Sequence, residues 1–190
     1  MKKYWIPTGP WPIGTGYEHA HRLLVLFGMS EGNQEDYDVL VLPGGADIGA
    51  RPERDKIEFA ALETAQKCGK KIFGICRGMQ VMLYVTGVEI IDHLPDYGGL
   101  LEHTTLTGHW TGQSGWHSTE QGLLVNSRHH QGAIKNLGHW EVVDRSIDGV
   151  VEAVKCKNQF GVQWHPEHPE MRDTPALEWL RGQLSENNII

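Results

Sequence analysis

Short apolar runs alternate with amphipathic stretches through the first half of the chain. Residues 39–42 are entirely apolar and are followed by Pro-Gly-Gly, which is typical of a strand buried on both faces of a parallel sheet. Residues 54–69 place apolar or small side chains at helical spacing and end at a glycine, so they predict a helix. Residues 71–75 predict a second strand, and residues 79–85 predict a second helix that ends near Gly87. The order strand, helix, strand, helix predicts a parallel α/β sheet with right-handed crossovers.

The C-terminal part of the chain has a strand pattern of a different kind. Residues 140–144, 150–154 and 160–164 predict three strands. Asp148-Gly149 is a hairpin turn signal between the first two, so this pair is expected to be antiparallel. A last helix is expected over residues 175–184, because Thr174 or Asp173 can cap it and a proline opens it.

The N-terminal part adds a short strand over residues 4–6 and a helix over residues 17–27 that Gly28 ends. The acidic residues 31–38 predict a surface connection, and residues 89–121 predict no clear element. No internal repeat or linker divides the chain. We therefore expect one α/β domain over residues 1–190, with a mostly parallel sheet flanked by helices and a small antiparallel β element in the C-terminal half.

The amino-acid composition of the chain excludes some classes of function. The chain has 190 residues, a formal net charge of −7, 11 His and only 3 Cys, so nucleic acid or an anionic membrane is not an expected partner. The cysteines form no CxxC pair and no complete disulfide set, which favours a reducing compartment. The sequence contains no apolar run of about 18 residues and no signal-peptide pattern. These features predict a soluble, cytoplasmic protein.

The segment Gly74-Ile75-Cys76-Arg77-Gly78 is the pattern that indicates chemistry. A cysteine flanked two residues away on each side by glycine, between a strand and a helix, resembles a nucleophile elbow. The turn would expose the sulfur at the carboxyl edge of the sheet, where open α/β folds bind ligands. The start of the helix would favour its thiolate form. A buried structural cysteine at a turn is the alternative for this pentapeptide taken alone.

A base and an oxyanion hole can be assigned from two other segments. His165 ends a predicted strand, and Glu167 lies two residues on, where it can orient the imidazole. Gly45 follows the neighbouring predicted strand, so its backbone N–H and that of Arg77 could bind a developing oxyanion. Cys76, His165 and Glu167 are therefore the candidate nucleophile, base and orienting residue.

The chain resembles the class I glutamine amidotransferase-like hydrolases, in the branch of the γ-glutamyl hydrolases and γ-glutamyl-γ-aminobutyrate hydrolase, peptidase family C26. The resemblance lies in segments in the family's order, at residues 42–47, 54–55, 74–80, 125–131, 148–153 and 161–167. It implies a flavodoxin-like fold and a catalytic triad of Cys76, His165 and Glu167, with the Gly45 and Arg77 amides as the oxyanion hole. It also implies that a glutamyl pocket is lined by Gly44, Gln80, Asn126, Ser127, His130 and Gln131.

From this resemblance we expect hydrolysis of a small γ-glutamyl amide through a γ-glutamyl thioester on Cys76, with no metal and no organic cofactor. The amine leaving group is not indicated, because the segments that would shape its pocket are shorter than the family's usual ones. The region before residue 39 is also compact, so a strand there is expected to be missing or vestigial. Arg54 and Asp55 are expected to form structural ion pairs or a helix cap.

Three alternatives stay open. The chain could be a glutaminase subunit that passes ammonia to a separate synthetase, whereas the hydrolase interpretation is compatible with a homo-oligomer. It could be a non-catalytic binding relative, which the complete triad disfavours. It could bind a metal through His103, His109 and His117 or through His165 and His168, although these spacings match no standard site.

Overall fold

The computed structural model describes residues 1–8, 15–92, 94 and 115–190. Strands and helices alternate along the first half of the chain, where the sequence predicts them. The elements are β1 (Lys3–Trp5), α1 (Thr15–Leu26), β2 (Ser30–Glu31), β3 (Val39–Leu42), α2 (Pro52–Lys67), β4 (Lys71–Ile75) and α3 (Arg77–Tyr84). The second half contains β5 (Gly115–Ser118), β6 (Leu124–Ser127), β7 (Glu141–Arg145), β8 (Val151–Cys156), β9 (Gln159–Val162) and α4 (Pro175–Glu186).

The main sheet has seven strands in the order β2-β1-β3-β4-β9-β8-β7. The first five strands in this order are parallel to one another, whereas β9, β8 and β7 pair in antiparallel fashion. Strands β5 and β6 form a separate antiparallel sheet. The expected α/β class, with a mostly parallel sheet and a small antiparallel element, is therefore confirmed.

Helices cover both faces of the main sheet, which explains why its central strands are apolar throughout. All four residues of β3 are buried. On one face Val39 and Val41 pack in a cluster with Leu24 of α1 and Leu180 of α4. On the other face Leu40 packs in a cluster with residues of α2 and α3. A strand with a helix layer on each side has no face for polar side chains.

Several predicted boundaries differ from those observed. Helix α3 begins at Arg77, directly after Cys76, and not at residue 79. The region expected to be only a surface connection starts with β2, a two-residue strand that pairs with β1, so the vestigial strand is present. Strands β5 and β6 were not predicted. The Asp148-Gly149 turn does join antiparallel strands β7 and β8, and Thr174 does cap α4 by accepting a hydrogen bond from the Leu177 N–H.

Among the described residues, no helix is both long enough and apolar enough to cross a bilayer.

Candidate active site

Cys76 lies at the tight junction between β4 and α3. Its φ of 50° and ψ of −108° place it in a backbone region that residues other than glycine rarely adopt. The flanking glycines make the turn possible, since a Cβ on Gly74 would lie 2.7 Å from the Met79 nitrogen and one on Gly78 would overlap the Leu42 carbonyl. The predicted elbow geometry is therefore present, with the cysteine 5% exposed.

His165 lies just beyond the end of β9, the strand next to β4. Its Nδ1 is 2.7 Å from Glu167 Oε1. Its ring and the Cys76 side chain both border Gly44, where an added Cβ would meet atoms of each. Burial acts to lower the pKa of His165, but the charges and hydrogen bonds of Cys76 and Glu167 together raise it well above the usual value. The three candidate residues, which would act in the order thiol, imidazole, carboxylate, thus lie together at one edge of the sheet.

Asn126 holds the backbone of this histidine. Its Oδ1 accepts the His165 N–H at 2.8 Å, and its Nδ2 donates to the His165 carbonyl at 3.1 Å and to Glu170 Oε1 at 3.1 Å. Glu170 in turn pairs with Arg128 at 2.9 Å. Asn126 is fully buried, so its polar atoms face His165 and Glu170.

The Gly44-Gly45 segment lies against the cysteine and histidine. Strands β3 and β4 are in register with Leu42 opposite Gly74, so the two loops after them are neighbours. A Cβ on Gly44 would lie 2.7 Å from His165 Cε1 and 3.7 Å from Cys76 Cβ. Only glycine allows this close approach, which brings the Gly45 and Arg77 amides to the same edge of the sheet.

The chain is similar in sequence to one known protein family. The sequence profile of the family described as Peptidase C26 matches residues 35–167. The chain belongs to the Peptidase C26 family. A Mycobacterium tuberculosis protein named as a glutamine amidotransferase is 34% identical over 176 residues, covering 85% of this chain and 55% of that protein. The γ-glutamyl-γ-aminobutyrate hydrolase PuuD of Escherichia coli K12 is 34% identical over 142 residues, covering 65% of this chain and 56% of PuuD.

A solved glutamine amidotransferase from Thermotoga maritima superposes on the C26 chain with a TM-score of 0.64, covering 100% of this chain and 86% of that one at 18% identity. At that identity the likeness shows a shared fold. The C26 chain spans about half the length of the two curated relatives, at 55% and 56%. The family match contains Cys76, His165, Glu167 and the Gly44-Gly45 segment.

Gln163 is a site residue that the sequence analysis did not single out. Its Nε2 is 3.6 Å from the Cys76 sulfur, and its Oε1 accepts from Gln80 Nε2 at 3.2 Å. Gln80 also donates to the Gln131 carbonyl at 3.0 Å. The available signal was a polar residue inside an otherwise apolar strand end, since a buried amide needs hydrogen-bond partners.

The remaining residues of the predicted glutamyl pocket lie around these groups. His130 is half-exposed and its Nε2 is 3.1 Å from Asp47 Oδ2, while Gln131 Nε2 donates to Asp92 Oδ1 at 2.8 Å. Ser127 is buried, and its hydroxyl has no hydrogen-bond partner among the described residues. The structure therefore brings His130 and Gln131 together with loop aspartates, and it buries Asn126, Ser127 and Gln80.

Within the part of the chain that the structure describes, two groups of side chains have the composition of a metal site. The ligand atoms of His117, His129 and Glu152 lie within 4.8 Å of one another, and so do those of His165, Glu167 and His168. Two imidazoles with a carboxylate is a donor set used for Zn²⁺ and Fe²⁺. In each group, however, one histidine already bonds the carboxylate, His117 to Glu152 and His165 to Glu167. His103 and His109 lie outside the described residues, and the expectation of no metal stays a prediction.

Proposed function

We propose that the protein hydrolyses the γ-glutamyl amide bond of a small γ-glutamyl compound, through a thioester on Cys76, and releases glutamate and an amine. The observation that carries the proposal is that Cys76, His165 and Glu167 lie together beside the Gly44-Gly45 segment. A thiol, an imidazole and a carboxylate in this order are the parts that acyl transfer requires. The reaction is proposed to need no metal and no organic cofactor, and to take place in the cytoplasm.

The first step is the attack of the Cys76 thiolate on the carbonyl carbon of the γ-glutamyl amide. A carbon–sulfur bond forms, and the carbonyl electrons move onto oxygen to give a tetrahedral oxyanion. The backbone N–H groups of Gly45 and Arg77 are proposed to donate to that oxyanion, because they flank the sulfur on neighbouring loops. The raised pKa of His165 supports this step, since an imidazolium stabilises the thiolate beside it.

In the second step the carbon–nitrogen bond breaks, and His165 gives its proton to the departing amine. A water molecule then attacks the thioester while His165 takes one of its protons, so glutamate leaves and the Cys76 thiolate returns. Glu167 keeps the imidazole in place and stabilises its charge through the Nδ1 bond of 2.7 Å. It does not itself take up the proton.

The glutamyl group is proposed to lie beside Gly44 and the 126–131 segment. His130 and Gln131 are the candidates for direct contact, because they lie at a partly exposed edge with Asp47 and Asp92. Gln80, Asn126 and Ser127 are buried, which supports a role in shaping the pocket and in holding His165 and Gln163. The name of the E. coli relative makes γ-glutamyl-γ-aminobutyrate the first substrate to test.

The proposal predicts that Cys76→Ala removes glutamate release from every member of a panel of γ-glutamyl amides that contains γ-glutamyl-γ-aminobutyrate and glutamine. Turnover should fall at least about 10⁴-fold, since the nucleophile of such a triad cannot be replaced by its neighbours. Glutamate release is measured by a coupled assay, and folding is measured by thermal unfolding.

Cys68→Ala is the matched control, because Cys68 is an exposed free cysteine and its loss should leave the rate unchanged. Substantial activity of Cys76→Ala would refute the proposal. The name of the mycobacterial relative, a glutamine amidotransferase, favours testing an ammonia-supplying glutaminase as well. Fast hydrolysis of glutamine only after a synthetase is added would establish that second function.

A further inference from the structure

Arg54 of α2 binds the loop that carries the proposed oxyanion donor Gly45. Its Nη2 donates to the Gly44 carbonyl at 3.0 Å and to the Pro43 carbonyl at 3.2 Å. We infer that Arg54 and Glu58 are positioning residues that orient the Gly45 N–H toward the reacting carbonyl. This inference deepens the proposed function and rests on it.

The geometry of the peptide bond gives the reason. In a planar trans peptide the carbonyl and the N–H point in opposite directions. Because Arg54 holds the Gly44 carbonyl, the N–H of the same peptide, which belongs to Gly45, points away from α2. The other side of this loop is the side of the catalytic groups, since a Cβ on Gly44 would lie 2.7 Å from His165 Cε1. A guanidinium on the carbonyl also polarises the peptide and makes its N–H a stronger donor.

Glu58 connects Arg54 to Arg77, the residue whose backbone N–H is the second proposed oxyanion donor. Its Oε1 accepts from Arg54 Nε at 2.8 Å, and its Oε2 accepts from Arg77 Nη1. The side chain of Arg77 also pairs with Asp55, so it lies in a buried ionic network, while its backbone N–H is the second proposed oxyanion donor. The Glu58 carboxylate therefore connects Arg54, which binds the loop of the Gly45 amide, with Arg77, whose own backbone amide is the other proposed donor.

Packing alone does not hold the loop on this side. A cavity of about 50 Å³ lies there, lined in part by Gly44, Arg54 and Glu58. The side chains of Arg54 and Glu58 are nevertheless only 12% and 1% exposed, so their hydrogen bonds form away from bulk water. A Cβ on Gly45 would overlap Arg54 Nη1, which shows how closely the guanidinium follows the loop.

The test compares two reactions of the Cys76 thiolate in the full chain. Acylation by p-nitrophenyl acetate forms a tetrahedral oxyanion as p-nitrophenolate leaves, whereas alkylation by iodoacetamide displaces iodide at a saturated carbon and forms none. We expect Arg54→Met to slow acylation about tenfold to a hundredfold, part of the 10²–10³ lost when a donor is removed. The rate of alkylation in this variant should stay within about twofold of the wild-type rate. The rates at which Cys68 and Cys156 react with each reagent are measured in Cys76→Ala and subtracted.

Arg51→Met is the matched control, because Arg51 is an exposed residue just before α2 and both of its rates should be unchanged. Arg54→Lys keeps the charge and one donor, so we expect a smaller fall in the rate of acylation and no change in the rate of alkylation. If Arg54→Met does not fold, the ratio of the two rates in Arg54→Lys tests the inference instead. An unchanged ratio of the two rates, or a parallel fall in both, would overturn the inference. Failure of the proposed function is a separate result, in which acylation responds to Arg54 but no γ-glutamyl amide is hydrolysed.

Discussion

Cys76 shows how a single residue is prepared for chemistry by its backbone. Its positive φ costs about 1–3 kcal/mol for a residue with a side chain, and the surrounding structure must supply that energy. The Cys76 N–H bonds the Val162 carbonyl at 2.7 Å, and Gln80 N–H bonds the Cys76 carbonyl at 3.1 Å. The strained residue is thus held from both sides, with its sulfur beside His165.

The titration of His165 tests the contact between thiolate and imidazolium. The pKa of His165 is raised in the fold above about 6.5, so its pairing stabilises the protein fully below that pH, and the stabilisation is lost as the pH rises through the raised pKa. Cys76→Ala removes one of the two anions that raise this pKa. We expect the NMR titration midpoint of His165 to fall toward 6.5 in that variant.

Cys68→Ala should leave the His165 midpoint where it is in the wild type, because Cys68 is exposed at the end of α2. The same midpoint in wild type and Cys76→Ala would contradict a thiolate beside His165.

At the scale of elements, the site depends on how closely α3 approaches the sheet. Gly78 in α3 faces the end of β3, where a Cβ would overlap the Leu42 carbonyl. Gly161 in β9 faces Met79, whose Cγ would be 2.7 Å from an added Cβ. These contacts fix the distance between the cysteine, at the start of α3, and the loops after β3 and β9.

Gly78→Ala should therefore destabilise the protein by about 1–3 kcal/mol or more, because a backbone atom of β3 would have to move. The free energy of unfolding in urea measures this effect. Glutamate release should fall as well, since the overlap displaces the start of α3.

Gly182→Ala in α4 is the control for the same substitution in a helix. Nothing lies within 4 Å of a Cβ there, so this variant should stabilise the protein by about 0.5–1 kcal/mol through helix propensity. Equal effects of the two alanines on stability would refute the close-contact explanation.

In the whole molecule, a buried pair connects the two sheets. His117 of β5 and Glu152 of β8 lie 2.7 Å apart through Nδ1 and Oε1, and both are buried. Burial raises the pKa of Glu152 above its usual value, although the bond to His117 acts to lower it. Burial acts to lower the pKa of His117, but the Glu152 carboxylate outweighs it, so this pKa is also raised. Backbone bonds from Glu120 to Arg145 and from Ile147 to Ser118 join the same two parts.

Glu152→Gln keeps the size of the side chain and removes its charge, so the free energy of unfolding should fall by about 1–3 kcal/mol. Hydrogen exchange should accelerate in β5 and β6, because their link to the main sheet is weakened. Glu141→Gln is the matched control, since Glu141 forms an exposed pair with Lys155 and its loss should cost at most about 1 kcal/mol. An equal cost for both variants would show that the pair does not connect the sheets.

The local features of the fold could be predicted from the amino-acid sequence alone. Strands β3 and β4, the helices after them and the cysteine turn follow from runs of apolar residues and from glycine spacing, because a short segment contains all the information they need. Strands β5 and β6 were missed because their residues mix glycine, histidine and polar side chains, and their pairing depends on each other and on the hairpin beside them.

The side chains that support the proposed site could be identified only from the folded structure. Asn126 reaches the backbone of His165 across 39 residues, and Gln163 reaches the Cys76 sulfur across 87. Arg54 and Asp55 were expected to form ion pairs or a helix cap. Arg54 pairs with Glu58 one turn further along α2, which the spacing does contain. Asp55 pairs with Arg77 only because α2 packs against the start of α3. Such contacts depend on distance in space, which the topology of the sheet sets and which spacing along the chain does not contain.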